Sequence, residues 1–356
     1  VGNCKGLVVA GCLAQRFEAE FFDELPEVDA IVGTTAYESI VEVVDEILAG
    51  KEQVKRMESI DMPMQDENGK LRVLSTAPYF AYLKISEGCD NFCTYCVIPK
   101  LRGRHRSRTM ESLVEEATVL AKQGVKELVV VAQDTSIYGR DLYGQPMLHE
   151  LLKQLNAVEG IEWIRIHYSY PAAFPEDVLD QMADNPKVCR YMDIPLQHIA
   201  DKVLDNMHRN VTGQWTRDLI KRMRERVPGV VLRTTMIVGH PGEGKKDFQE
   251  LLDFAQEARF ERLGAFKYSE EEGTYGYKIT QDVRKAIEVS ESTLYPVLRR
   301  LQKENCLIVY DMECGGRNRR YYKITGSGEA QLQMYRNEWM DYSRKITAMF
   351  AGEELV

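Results

Sequence analysis

Three cysteines dominate the chemistry that this sequence can carry. Cys89, Cys93 and Cys96 stand in GCDNFCTYC, a C-x3-C-x2-C spacing. Three thiolates this close together, at the end of a predicted strand, suit three irons of one [4Fe–4S] cluster. The fourth iron is left without a protein ligand and open to a small molecule. A closed structural zinc site takes four ligands, and a two-cysteine redox motif has no use for a third. The alternatives are chance clustering, or zinc bound together with His105. The chain has 8 Cys in 356 residues. No signal peptide is legible at VGNCKGLVVAGCLAQ, so a cytoplasmic protein is expected, with metal or redox chemistry in place of a disulfide scaffold.

The elements that must position the triad follow from hydrophobic periodicity. YFAYLKIS (79–86) reads as a strand leading into it. Met110–Gln123 reads as a helix, with Leu113, Ala117 and Leu120 on one face, Thr109 before it and Gly124 after it. Further strands are expected at 126–133, 162–170, 188–198, 230–239 and 262–269, separated by helical stretches. Six strands alternating with helices imply a parallel sheet, open or curled as a partial barrel. In such folds the chemistry gathers at the C-terminal ends of the strands. Residues 1–50 read as strand then helix, and the polar stretch 51–78 as a linker.

Composition limits the rest. Hydrophobic residues at 44% and charged residues at 28% are ordinary for globular protein. No run approaches the roughly 18 apolar residues of a membrane span. The net charge of −9 argues against a surface coated by nucleic acid, though not against a local basic patch. LRGRHRSR (101–108) is such a patch. It reads equally as a solvated loop or as a surface that steers an acidic or ribosomal partner.

The CxxxCxxC motif at the end of the first of six strands resembles the radical S-adenosylmethionine enzymes. The resemblance narrows further. ISEGCDNFCTYCVIPKLRGRHRSR, VVVAQDTSIYGRDLYG, RIHYSYP, DIPLQH and TTMIVGHPGE resemble the methylthiotransferase family that modifies an aspartate of ribosomal protein S12, over residues ~6–273. AQDTSIYG favours that branch over the one acting on tRNA adenosine. The resemblance implies a partial (β/α)6 radical-SAM barrel over 79–273, with Cys89, Cys93 and Cys96 as cluster ligands. It implies S-adenosyl-L-methionine as cofactor, chelated to the open iron and cleaved to a 5′-deoxyadenosyl radical that takes hydrogen from the aspartate β-carbon. Tyr95 falls near the adenine, Gln133 and Asp134 near the methionine amino group, and Gln197 and His198 on the cofactor face. Gly239, Pro241, Gly242 and Glu243 match an adenine-side loop; Gly and Pro also serve plain turn geometry there. Ribosomal protein S12 and a reductant protein are the implied partners.

The family also carries an N-terminal domain with three cysteines for a second [4Fe–4S] cluster. Residues 1–50 match the tail of that domain, and Cys12 fits its third ligand; the other two would lie upstream of Val1. The small β-barrel that closes the family is replaced. From 274 to 356 the chain resembles a PadR-like winged-helix regulator whose first helix is missing. SESTLYPVLRRLQKE resembles its recognition helix, GGRNRRYY its wing, and the helix 329–349 its dimerisation arm, with Leu332, Tyr335, Trp339, Tyr342, Ile346 and Met349 at alternating spacings of three and four. Ser292 and Thr293 would enter a major groove, and Arg317, Arg319 and Arg320 would contact phosphates of duplex DNA. Three readings follow: a radical enzyme with an appended winged-helix segment, a DNA-binding regulator, and a non-functional chimera of the two.

Overall fold

A computed structural model of the chain describes residues 4–64, 73–172, 174–279, 300–314 and 317–351. It divides into two compact units, 1–280 and 281–356.

The first unit is built on two parallel sheets. The smaller holds β1 (Val8–Ala10), β2 (Ala30–Val32) and β3 (Val54–Arg56), in that order. β3 begins the segment expected to be a linker. Val54 is buried there and its N–H donates to Asp29 O at 2.9 Å, so burial turns a stretch without periodicity into a strand. The helix Ile40–Leu48 covers one face of this sheet through Val43, Ile40 and Ile47.

The larger sheet has six strands: β4 (Phe80–Lys84), β7 (Glu127–Val131), β8 (Trp163–Ile166), β9 (Val188–Asp193), β10 (Val231–Val238) and β11 (Arg262–Lys267), paired in that order and all parallel. A two-stranded antiparallel ladder, β5 (Ser86–Glu87) with β6 (Arg106–Ser107), follows β4 and brackets the cysteine loop. The outer strands β4 and β11 do not pair, so the array is the expected partial barrel and stays open.

Helices separate the strands: Met110–Lys122, Leu148–Asn156, Asp177–Asp184, Gly213–Arg226 and Lys245–Ala258. Two of them begin at threonine caps. The Thr109 hydroxyl accepts from Ser112 N–H, and that of Thr212 from Trp215 N–H. Their apolar faces meet alternate residues of the strands. Leu83, Leu128, Val130, Ile164, Ile166, Met192, Leu232 and Met236 enter one continuous core with Leu113, Leu120, Leu151 and Leu219. The period of two leaves the other strand face free for polar groups such as Lys84, Arg165 and Arg233.

The second unit, described by itself, is a hairpin of β12 (Leu307–Cys314) and β13 (Arg317–Ile324), antiparallel from Leu307↔Ile324 to Cys314↔Arg317, followed by the helix Gly326–Ala351. The hairpin and the long helix fall where the wing and the dimerisation arm are expected. Gly315 and Gly316 at the tip, and Ser292 and Thr293, lie outside the described residues. Among the described residues no helix is long and apolar enough to cross a membrane.

Leu128 is wholly buried at the centre of the main core. Leu128→Ala is expected to lower unfolding free energy by about 2–5 kcal/mol, read by chemical denaturation.

Candidate iron–sulfur and S-adenosylmethionine site

The triad loop leaves the sheet through Gly88, whose φ of +81° is left-handed. A Cβ there would meet Arg104 O at 2.0 Å and Gly103 O at 2.6 Å. Only glycine lets the two ends of the loop lie this close, and Cys89 N–H donates to Gly103 O at 3.1 Å. Inside the loop Cys93 is buried, while Cys89 and Cys96 are half-buried; none is in a disulfide. Cys96 N–H donates to Cys93 O at 2.9 Å. Asn91 Nδ2 reaches Cys89 Sγ at 3.5 Å, and Arg209 Nη1 reaches Cys93 Sγ at 3.6 Å.

Burial pushes the Cys89 thiol up to about 12, helped by the nearby negative charge of Asp134, Cys93 and Cys96. Cys96 is raised too, first by burial and then by Cys93. Two thiols that burial and neighbouring negative charge push up, beside a third that is buried, are a donor set short of positive charge. An iron cluster supplies that charge, and its ligands are thiolates. The fit rests on this donor chemistry. Among the described residues no three His, Cys, Asp or Glu side chains stand in a ready-made metal-holding arrangement.

The parallel register carries the next groups to the same edge. β4 and β7 pair up to Lys84↔Val131, so Gln133 and Asp134 emerge beside the triad loop. Asn91 Nδ2 donates to Asp134 Oδ2 at 2.8 Å, and Ser136 N–H to Asp134 Oδ1 at 2.9 Å. Burial raises the Asp134 carboxyl against those two hydrogen bonds. Gln133 Nε2 donates to Glu87 Oε1 at 2.8 Å. Burial opposes the Glu87 charge, but ion pairs with Lys84 and Arg102 at 3.0 Å each outweigh it and hold the carboxyl low.

Gln197 has φ of +71° and bridges to β10: its N–H donates to Thr235 O at 2.9 Å, and its O accepts from Ile237 N–H at 2.8 Å. His198 is fully buried and accepts from Ala200 N–H on Nδ1 at 3.1 Å. Burial, above all, lowers its pKa to about 4, so it is neutral at pH 7 with the proton on Nε2. Its 3.9 Å approach to Glu243 Oε2 is therefore no ion pair. Glu243 instead closes its own turn, accepting from Gly239 N–H at 2.6 Å and His240 N–H at 3.2 Å. Gly239 and Gly242 hold φ of +79° and +91°. The 239–243 loop is thus a self-closed turn, with Pro241 inside it. Tyr95 is half-buried, and its Oη accepts from Arg209 Nη1 at 3.4 Å.

Several buried polar atoms here have no partner: Gln133 Oε1, Gln197 Oε1, Asp193 Oδ1 and His198 Nε2. They lie at or just past the C-terminal ends of β7 and β9. Such atoms call for a ligand that brings hydroxyl and amino donors and an acceptor. S-adenosylmethionine carries all of these.

Sequence reasoning missed Arg209, Asn91, Glu87 and Asp193. Asn91 and Asp193 sit inside quoted motifs, whereas Arg209 carries no local signal. The basic run resolves into a structural part. Arg108 is buried and pairs with Glu116 at 2.5 Å, with Ser112 Oγ at 2.8 Å on its other arm. Arg102 pairs with Glu87, His105 is buried, and only Arg104 is mostly exposed. The run is therefore not a wholly solvated loop, since His105 and Arg108 belong to the interior.

Cys12 starts the helix Cys12–Arg16, which packs on the helix Ile98–Arg102 just after the triad. Thr34 Oγ1 donates to Leu101 O at 2.8 Å, and Arg16 pairs with Glu271. The N-terminal sheet therefore grips the triad loop from outside. Beside it lies a cavity of about 120 Å³, lined by Thr34, Tyr37, Met62, Lys84, Glu87 and Arg106 among others.

Comparisons with known proteins agree with this geometry. Residues 83–255 match the model of the radical SAM superfamily, and 267–334 that of the transcriptional regulator PadR-like family. The fold is similar to that of the radical S-adenosylmethionine methyltransferase TsrM from Kitasatospora setae, with TM-score 0.59 at 15% identity over 78% of this chain and 58% of that one. Fold and site together define a radical S-adenosylmethionine enzyme. The chain is 47% identical over 306 residues to the ribosomal protein uS12 methylthiotransferase RimO of Acetivibrio thermocellus, covering 85% of this chain and 67% of that relative. To the RimO of Clostridium novyi it is 41% identical over 325 residues, covering 90% and 72%. The RimO of Lachnoclostridium phytofermentans is 47% identical, covering 81% and 65%. The chain belongs to the ribosomal protein uS12 methylthiotransferase family, and it spans about two thirds of the length of these relatives.

Gly88→Ala is expected to reduce iron bound after anaerobic reconstitution severalfold. Iron analysis alongside circular dichroism separates that loss from unfolding.

Proposed function

We propose that this chain uses Cys89, Cys93 and Cys96 to hold a [4Fe–4S] cluster with one open iron. On this reading S-adenosylmethionine binds there and directs hydrogen abstraction at the β-carbon of an aspartate in ribosomal protein S12. The observation that carries the reading is the set of unpartnered buried polar atoms at the strand ends from which the three free thiols also emerge. A cluster bound there supplies the electron that cleaves the sulfonium of S-adenosylmethionine. The side chains have separate tasks. On this reading Asp134 and Gln133 would accept from the methionine amino group. Asp193, Gln197 and neutral His198 would bind ribose or adenine edges, Tyr95 would pack near the adenine, and the Gly239–Glu243 turn would shape that end of the site.

The division that supports this reading is 1–50 as the sulfur-donor remnant, 79–273 as the radical core and 274–356 as an appended segment. Cys12 stands at the loop edge facing Arg102 and Tyr37, which fits one ligand of a second cluster. A reductant protein would deliver the electron. The match of 267–334 to the PadR-like model supports a second partner, duplex DNA, through Arg317, Arg319 and Arg320, with the helix Gly326–Ala351 as a homodimer arm.

Iron and acid-labile sulfide after anaerobic reconstitution are expected at about four each per chain. About eight of each would mean that a second cluster forms. Cys93→Ala is expected to abolish 5′-deoxyadenosine release from S-adenosylmethionine under dithionite. Release at the parent rate would sink the cluster assignment. For the C-terminal unit, a gel-shift series on duplex DNA should show binding that weakens with salt and with Arg319→Ala/Arg320→Ala. No difference between parent and variant would remove that partner.

A further inference from the structure

We propose that Arg209 is the counter-ion of the Cys93 sulfur, a positioning residue that sets the reduction potential of the cluster held by the triad. The inference rests on the triad holding that cluster.

Arg209 lies just past the helix Asp201–Asn206, far in sequence from the cysteines, yet its side chain ends at them. It is 3% exposed. Nη1 points to Cys93 Sγ at 3.6 Å and to Tyr95 Oη at 3.4 Å, and Nη2 donates to Pro195 O at 2.5 Å. The guanidinium lies over the Tyr170 ring at 4.1 Å, and Tyr170 Oη donates back to Arg209 O at 2.8 Å. Ring and hydroxyl hold the residue from two sides. Nε has no partner.

The unusual feature is what is missing around this cation. A buried arginine normally faces a carboxylate, because an unpaired buried charge costs several kcal/mol. No carboxylate pairs with Arg209 among the described residues. The acidic groups acting on it most strongly are Tyr95, Cys93 and Tyr170. A Cys93 sulfur bound to the cluster is a thiolate, and it would be the anion facing the guanidinium at 3.6 Å. The triad is thereby asymmetric: Cys89 meets an amide of Asn91, whereas Cys93 meets a full positive charge.

Hydrogen bonds to cluster sulfurs and nearby charge are the levers by which a protein sets an iron–sulfur potential. One-electron reduction adds negative charge next to Cys93. A fixed cation in a low-dielectric site favours that state. Arg209 therefore makes the cluster easier to reduce.

The test compares parent, Arg209→Lys and Arg209→Gln, each reconstituted anaerobically, by iron content and by a dithionite redox titration followed by electron paramagnetic resonance. Arg209→Lys should stay near the parent. Arg209→Gln should lower the reduced-to-oxidised ratio about tenfold at a fixed potential, equivalent to ~59 mV for one electron. An unchanged potential in Arg209→Gln with full iron overturns the proposal. If Arg209→Gln does not fold, Tyr170→Leu decides: it frees the guanidinium, and a shift in the same negative direction supports the proposal while none overturns it. A parent that takes up no iron would sink the cluster assignment instead, before Arg209 is tested.

Discussion

The parallel pairing of β4 with β7 is the constraint on which the rest of this site depends. It fixes Lys84 beside Val131, so the chain segments leaving both strands run side by side. Two hydrogen bonds of 2.8 Å then tie them together, Gln133 to Glu87 and Asn91 to Asp134. Without that register the triad loop would have no wall. With it, three thiols, a buried carboxyl and a buried amide share one edge of the sheet. The core behind the strands makes the register costly to change, because a one-residue slip would turn Leu83, Leu128 and Val130 away from their helices.

Much of this was legible in the sequence where the signal is local. The Val run of β7, the Thr109 cap and the Leu113–Ala117–Leu120 face each announce an element within a few residues. The cysteine spacing announces its chemistry in the same way. The parallel order of the six strands follows from their alternation with helices. What escaped is long-range or depends on burial. Arg209 meets Cys93 across 116 positions, and no periodicity marks it. β3 is a strand because β2 offers it a partner, not because its residues alternate. The basic run misleads for the same reason. Counting its charges cannot show that Glu116 and Ser112, on the following helix, wait for Arg108.

The two units differ in how closely sequence and structure can be matched. In residues 1–280 the candidate side chains are held by hydrogen bonds, ion pairs or burial. In the C-terminal unit, Arg317, Arg319 and Arg320 are placed by strand register opposite Cys314, Met312 and Asp311. Leu332 and Tyr335, two of the seam residues on the long helix, are exposed.

The grip of the N-terminal sheet on the triad loop has a consequence in the language of linkage. Thr34 holds Leu101 by a hydrogen bond, and the helix starting at Cys12 lies on the helix that follows Cys96. Two parts that share contacts share free energy. If these contacts change the loop's affinity for iron, iron changes the sheet's hold on the loop by the same factor. The small sheet is then a thermodynamic reporter of the loop. Its opening equilibrium, seen by amide exchange at β1 and β2, would carry information about occupancy at a place it never touches.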